Sequence, residues 1–93
     1  MKNALLNEKY QMNDVAKLIW HCRRGMRELD LLLVSYCEKF YTAADAVEQR
    51  TFVQLLDLPD DLIYDYLFGE KQPDTTEMTA LIDKIKTVLH STT

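Results

Sequence analysis

The sequence predicts an all-α protein, a small five-helix bundle in a single domain. Apolar side chains recur at the spacing of an α-helix in five successive segments. Only two Gly and two Pro occur among the 93 residues, and this scarcity disfavours a chain of many tight β-turns. A chain of this length matches one domain with one thin core. We expect that domain at residues 13–91, after an N-terminal arm at residues 1–12 that shows no clear period.

The first helix is predicted to begin at Asn13 or Asp14, either of which can cap a helix. It is expected to end at Arg23 and Arg24, because cations suit the negative end of the helix dipole, and Gly25 then breaks or bends the chain. Its apolar side chains lie at positions i, i+3, i+4 and i+7, which makes one stripe: Val15, Leu18, Ile19 and Cys22.

The second helix is predicted from about residue 26 to residue 40, at the centre of the bundle. Leu31 and Val34 fall outside its main stripe, so the helix is apolar over much of its circumference, which is typical of a buried helix. We expect Leu33 in the core. The stripe consists of Leu29, Leu32, Leu33, Tyr36, Cys37 and Phe40.

Three further helices complete the predicted bundle, at about residues 43–56, between Pro59 and Gly69, and at about residues 75–90. Pro59 suits a first helical turn and Gly69 a helix end, while two pairs resemble capping boxes: Thr42 with Asp45, and Asp74 with Glu77. The side chains expected to point inward are Val47, Thr51, Phe52, Leu55, Leu56, Leu62, Ile63, Tyr66, Leu67, Met78, Leu81, Ile82, Ile85 and Leu89.

The reactive residue types do not form a pattern that indicates a metal site or a catalytic site. His21, Cys22, Cys37 and His90 lack the spacing of metal ligands. The chain contains neither a nucleophile elbow nor a phosphate-binding loop, so we expect no catalytic residues and no enzyme activity. With two cysteines and no CxxC spacing, two packed, reduced thiols are expected rather than a disulfide.

Charge is unevenly distributed along the chain. Residues 1–28 contain six basic and three acidic side chains, whereas the remaining residues contain five basic and twelve acidic ones. This polarity suggests an oriented docking surface near residues 17–27, although scattered solvated charge would give the same count. The net charge of −4 disfavours nucleic acid as a partner. No apolar run approaches the roughly 20 residues of a membrane span, and no targeting segment is recognisable, so a cytoplasmic protein without membrane insertion is expected.

One face of the first helix is a candidate interface. Lys17, Trp20, His21 and Arg24 lie at positions i, i+3, i+4 and i+7, nearly opposite the apolar stripe. Trp and Arg are the residue types that dominate interface hot spots. The alternative is that Trp20 packs under another helix or under the N-terminal arm. Gly25 also has two interpretations, an ordinary helix terminator or a position where a Cβ would block the close approach of a partner.

The run Arg24-Gly25-Met26-Arg27-Glu28 matches an RGxxE motif, and the match extends over residues 20–30. In this segment the chain resembles the bacterial members of the SdhE / succinate dehydrogenase assembly factor 2 family of FAD assembly factors. Residues 52–56, 61–67 and 71–73 are also similar to that family, so the resemblance covers about residues 14–90. Tyr66 is a departure, because members of the family often carry Trp at that place.

The resemblance implies an assembly factor that binds the flavoprotein subunit of succinate dehydrogenase or fumarate reductase. It implies that the factor promotes covalent attachment of FAD to a His of that subunit, while the bond-forming chemistry belongs to the flavoprotein and the flavin. The factor itself is expected to hold no cofactor stably and to be a monomer when free. The face of the first helix and the RGxxE motif together predict a set of partner-binding residues. These are Lys17, Trp20, His21, Arg23, Arg24, Gly25, Arg27, Glu28 and Asp30.

A second class of partner stays open at the level of the sequence. Some bacterial relatives are described as the antitoxin half of a toxin–antitoxin pair. By that resemblance the partner would be a membrane-associated toxin rather than a flavoprotein.

Overall fold

The structure, a computed structural model, describes the backbone of residues 15–91 and the side chains of residues 15–88. Helix α1 occupies residues 15–21 of this range. The helices that follow are α2 at Arg27–Tyr36, α3 at Ala46–Leu56, α4 at Asp60–Phe68 and α5 at Thr76–Ser91. The described residues contain five helices and no strand, so the predicted all-α bundle is confirmed. The predictions for the arm at residues 1–12, the caps Asn13 and Asp14, and the burial of Leu89 lie outside the described residues.

The second predicted helix has two parts. α2 ends at Tyr36, and the chain continues as a π-helical turn over Cys37–Tyr41, whereas the sequence pattern predicts one α-helix through Phe40. A π turn holds more residues than an α turn, so it shifts the phase of the side chains that follow. As a result Tyr41 is buried and Phe40 is only half-buried. The period of 3.6 residues could not place Tyr41 in the core.

The start of α3 differs from the predicted start near residue 43. Asp45 is the N-cap residue, and its carboxylate accepts a hydrogen bond from the Glu48 backbone N–H at 2.8 Å. Thr42, which the pattern pairs with Asp45, instead follows the π turn in a helical conformation. An acid at the N-cap satisfies a helical N–H that has no other partner. Asp45 therefore caps this helix, and the prediction of Thr42 with Asp45 as its capping box is wrong.

The starts of α4 and α5 also move by one residue. Pro59 lies in extended backbone as the N-cap of α4, and the helix begins at Asp60 rather than at the proline. Before α5, the Thr75 hydroxyl accepts a hydrogen bond from the Met78 N–H at 3.1 Å. Thr75 therefore caps this helix, and the prediction of Asp74 as the capping residue is wrong.

Helix α5 has the central position among the described helices, because it packs against α2, α3 and α4. Three side chains of α2 are fully buried, and Leu33 is one of them, as predicted. The prediction that α2 is buried around most of its circumference is wrong, however, because Leu31 is 68% exposed. A helix at the side of a bundle needs to bury only one stripe. The buried side chains of α2 are Leu29, Leu32, Leu33 and Tyr36.

Val47 is the one predicted core residue of α3 that the structure exposes. Its side chain borders a groove between α3 and α5, which leaves it 46% exposed. The remaining inward residues of α3 are buried as predicted. The predicted core side chains of α4 and α5 that the structure describes are buried or pack partly against the core, and Val88 joins them.

Aromatic rings fill the space between α2, the π turn and α3. The ring centroids of Tyr36 and Phe52 are 4.7 Å apart, and those of Tyr41 and Phe52 are 5.8 Å apart. The hydroxyl of the buried Tyr36 donates a hydrogen bond to Glu48, and Glu48 in turn pairs with Lys84 of α5 at 2.9 Å. Burial and this hydrogen bond raise the pKa of the Tyr36 phenol well above its usual range. The core therefore holds this tyrosine as a neutral donor.

Candidate functional site

The segment between α1 and α2, residues 22–26, is shaped by a single carboxylate. Asp30 lies in the first turns of α2, and its two oxygens accept hydrogen bonds from the backbone N–H groups of Arg24 at 2.7 Å and Gly25 at 3.0 Å. An acid suits this place because the N-terminal end of a helix carries partial positive charge. The Asp30 carboxylate, predicted from sequence to contact a partner, is thus engaged inside the chain. It holds the loop that carries the RGxxE motif.

Arg24 turns toward the body of the domain rather than continuing the face of α1. Helix α1 ends at residue 21, so the helical alignment of Arg24 with Trp20 is wrong. The guanidinium donates from Nε to the His21 carbonyl at 2.9 Å, from Nη1 to Asp60 Oδ1 at 2.9 Å, and from Nη2 to the Leu56 carbonyl. Its side chain is only 16% exposed. Arg24 therefore joins the end of α1, the end of α3 and the start of α4.

A glycine is needed at position 25 because of its backbone conformation, and not because neighbouring atoms crowd the position. Its φ is +86°, in the left-handed region where a side chain is strained. A Cβ at this position would meet no atom within 4 Å, so the space above the glycine is open. Gly25 therefore makes the turn that ends α1, and its role in the close approach of a partner stays a prediction.

The candidate surface for a partner consists of the exposed side chains around this loop. Trp20 is 77% exposed, more than any other large hydrophobic residue of the described chain, so the alternative that it packs under another helix is wrong. Glu28 is exposed, and Arg24 pairs with Asp60 instead of with it. We call the exposed members of the predicted set the motif face, which comprises Lys17, Trp20, His21, Arg23, Gly25, Arg27 and Glu28.

The opposite side of α1 is packed on the core, as its apolar stripe predicts. Leu18 and Cys22 are buried, and Val15 and Ile19 pack partly against the core. Cys22 and Cys37 are both buried free thiols, as expected. Hydrogen bonding between the two thiols, reinforced by burial, raises the pKa of the Cys22 thiol far above its usual range. Cys22 is therefore a protonated core residue and not an activated nucleophile.

A shallow groove between α3 and α5 is a feature that the sequence pattern does not predict. It has a volume of about 370 Å³, and its walls include Val47, Leu81 and the ion pair of Glu48 with Lys84. None of the motif-face residues lines it.

The described part of the chain brings together no three His, Cys, Asp or Glu side chains in a position to hold a metal ion. Within the same residues, every helix is too short or too polar to cross a bilayer.

The model of a protein family described as the flavinator of succinate dehydrogenase matches residues 16–89 of this chain. The chain belongs to this family. The matched range contains the whole motif face together with Arg24 and Asp30, so the geometry above lies within the part that carries the family likeness. The resemblance identified from the RGxxE segment is thereby confirmed.

Bacterial relatives within the family are similar over most of their length. The FAD assembly factor SdhE of Coxiella burnetii is 44% identical over 70 residues, which cover 75% of this chain and 85% of that protein. The FAD assembly factor SdhE of Psychrobacter arcticus is 36% identical over 85 residues, or 91% of each chain. That of Methylococcus capsulatus is 37% identical over 78 residues, which are 84% of this chain and 94% of the relative.

Proposed function

We propose that this chain binds the flavoprotein subunit of succinate dehydrogenase, or of fumarate reductase, and promotes covalent attachment of FAD to that subunit. The main support is that a member of the flavinator family presents Gly25 and Glu28 of its RGxxE segment at the surface, close in sequence to the exposed Trp20. Relatives are named FAD assembly factors, and we extend that role to this chain. It would act in the bacterial cytoplasm as a protein-binding factor without a catalytic site of its own.

Within this proposal the residues of the motif and their neighbours divide into three groups. Arg24 and Asp30 keep the loop in shape through hydrogen bonds inside the chain. Gly25 provides the turn and the open space. Trp20, Arg27 and Glu28 remain exposed for the partner. The division matters because loss of Arg24 or Asp30 would then impair binding indirectly, through the shape of the loop.

The proposed factor acts by differential binding. If it binds one conformation of the flavoprotein more tightly than the others, it raises the population of that conformation. A partner held in this way positions its acceptor side chain against its own flavin, and correct positioning alone can account for a large acceleration. The factor then needs no cofactor, and FAD stays with the flavoprotein throughout.

The proposal is tested by flavinylation of a purified apo-flavoprotein subunit at limiting FAD. Covalent flavin is measured as fluorescence of the subunit in denaturing gels, with and without this chain. Trp20→Ala should weaken partner binding by about 2 kcal/mol or more, the scale of an interface hot spot. The matched control is Tyr64→Ala, an aromatic that is 38% exposed on α4 and should leave binding unchanged.

Two outcomes would contradict the proposal. Equal rates of covalent labelling with and without the chain would reject an assembly role. Stoichiometric FAD bound tightly to the purified chain would reject a factor that holds no cofactor.

A further inference from the structure

We propose that the docking surface continues beyond the RGxxE motif along α2, with Leu31 as a second apolar anchor in addition to Trp20. The partner surface that fits it is an apolar patch bordered by carboxylates. This inference rests on the proposed function, because it assigns the extended surface to the same flavoprotein subunit.

The first observation is the exposure of Leu31. It is 68% exposed, second only to Trp20 at 77%, while the next large hydrophobic residue of the described chain is Val47 at 46%. A single exposed aliphatic side chain is ordinary in a soluble protein. Here, however, the two most exposed large hydrophobic side chains lie on the two helices that the motif loop joins. Trp20 lies on α1 and Leu31 lies on α2.

The second observation is the position of Leu31 on its helix. Residues three and four apart are neighbours on a helix surface, so Leu31 adjoins both Arg27 and Glu28 of the motif. The other side of α2 is buried in the core through Leu29 and Leu33. The exposed stripe of α2 therefore begins within the motif and reaches Leu31 one turn later.

The third observation concerns charge. Arg27 is the first residue of α2, where a cation opposes the helix dipole and an acid would be favoured. Neither Arg27 nor Arg23 forms an ion pair with another residue in the described part of the chain. Unpaired cations next to exposed apolar side chains complement a partner surface in which acidic side chains surround an apolar centre. The carboxylate of Glu28 requires one hydrogen-bond donor among the groups that surround this centre.

Titration of the flavoprotein subunit with the full chain and four variants tests the inference. Leu31→Gln removes the anchor and keeps a good helix former. The control Val53→Gln replaces another exposed aliphatic side chain by Gln, at a residue of α3 that is 40% exposed. Leu31→Gln should raise the Kd by about tenfold or more, the effect expected when a leucine is no longer buried on binding. Val53→Gln should change it by less than about twofold. Both variants should melt within the error of the parent.

The charge is tested by Arg27→Glu against Arg50→Glu, since Arg50 is an exposed arginine of α3. Arg27→Glu should weaken binding and flatten its dependence on salt, although the acid suits the start of α2. Arg50→Glu should do neither.

Three results would overturn the inference. If Leu31→Gln binds as the parent does while Trp20→Ala is impaired, the surface ends at the loop and the proposed function survives alone. If the parent is a dimer by light scattering, and Leu31→Gln makes it a monomer without changing partner affinity, the stripe contacts a second copy of this chain. If the parent itself does not bind the flavoprotein, the proposed function fails, and this inference fails with it.

Discussion

Replacement of Arg24 by Ala should lower the free energy of unfolding by about 2–3 kcal/mol. The variant loses two hydrogen bonds to the carbonyls of His21 and Leu56, each worth about 1 kcal/mol. It also loses the ion pair with Asp60. The Asp60 side chain is 42% exposed, so this pair contributes no more than about 1 kcal/mol. Water reaches the freed groups in part, which keeps the total below the cost of a buried, unpaired charge.

Urea unfolding followed by far-UV circular dichroism measures this loss. The denaturation midpoint should fall while the slope of the transition stays constant, because a loss of stability alone leaves the slope unchanged. In a domain of this size the melting temperature should fall by about 10–20 °C. The matched control is Arg23→Ala, which removes the neighbouring arginine that is exposed and should change stability by less than about 0.5 kcal/mol.

A double-mutant cycle of Arg24→Ala with Asp60→Ala isolates the ion pair, for which we expect a coupling of about 0.2–1 kcal/mol. The reasoning is refuted if Arg24→Ala unfolds at the same urea concentration as Arg23→Ala. If that stable variant nevertheless failed to bind the flavoprotein, Arg24 would contact the partner directly.

Three further predictions concern stability. Leu33→Ala should cost about 2–5 kcal/mol in urea unfolding because Leu33 is fully buried, and a loss below about 1 kcal/mol would place it outside the core. Gly25→Arg should lower the free energy of unfolding by about 1–2 kcal/mol through the positive φ at this position alone. Gly25→Asn should lower it less, because Asn tolerates this conformation. Equal urea midpoints for the parent and both variants would show that the loop can adopt another backbone conformation. The raised pKa of Tyr36 favours the folded state below the ordinary tyrosine pKa of about 10, and this contribution is lost as pH rises above that value. As the pH rises from about 8 to about 11, the Tyr36→Phe variant should therefore lose less stability than the parent. Equal losses of stability in the two proteins would contradict the raised pKa of Tyr36.

The parts of the fold that local pattern predicts are the helices and the inner stripe of each. Leu18 and Cys22 could be assigned to the core because a period of 3.6 residues is a property of neighbouring residues. Helix ends were less accurate, as at Asp45 and Thr75, because several nearby side chains can cap and small differences in backbone geometry select one. The phase shift at the π turn before Tyr41 left no signal in the pattern.

Both the sequence and the tertiary structure were needed to interpret the RGxxE motif and the surface around it. The RGxxE segment is contiguous, so the sequence alone identifies the family and a candidate location for the site. The roles within it do not, because the partner of Arg24 is Asp60, 36 residues further along the chain. Helical spacing instead grouped Arg24 with Trp20, since a wheel assumes that the helix continues. Likewise, Leu31 and Val47 are as apolar as their buried neighbours, and their exposure was decided only by which helices pack beside them. Burial is a property of the assembled bundle, and no residue carries it alone.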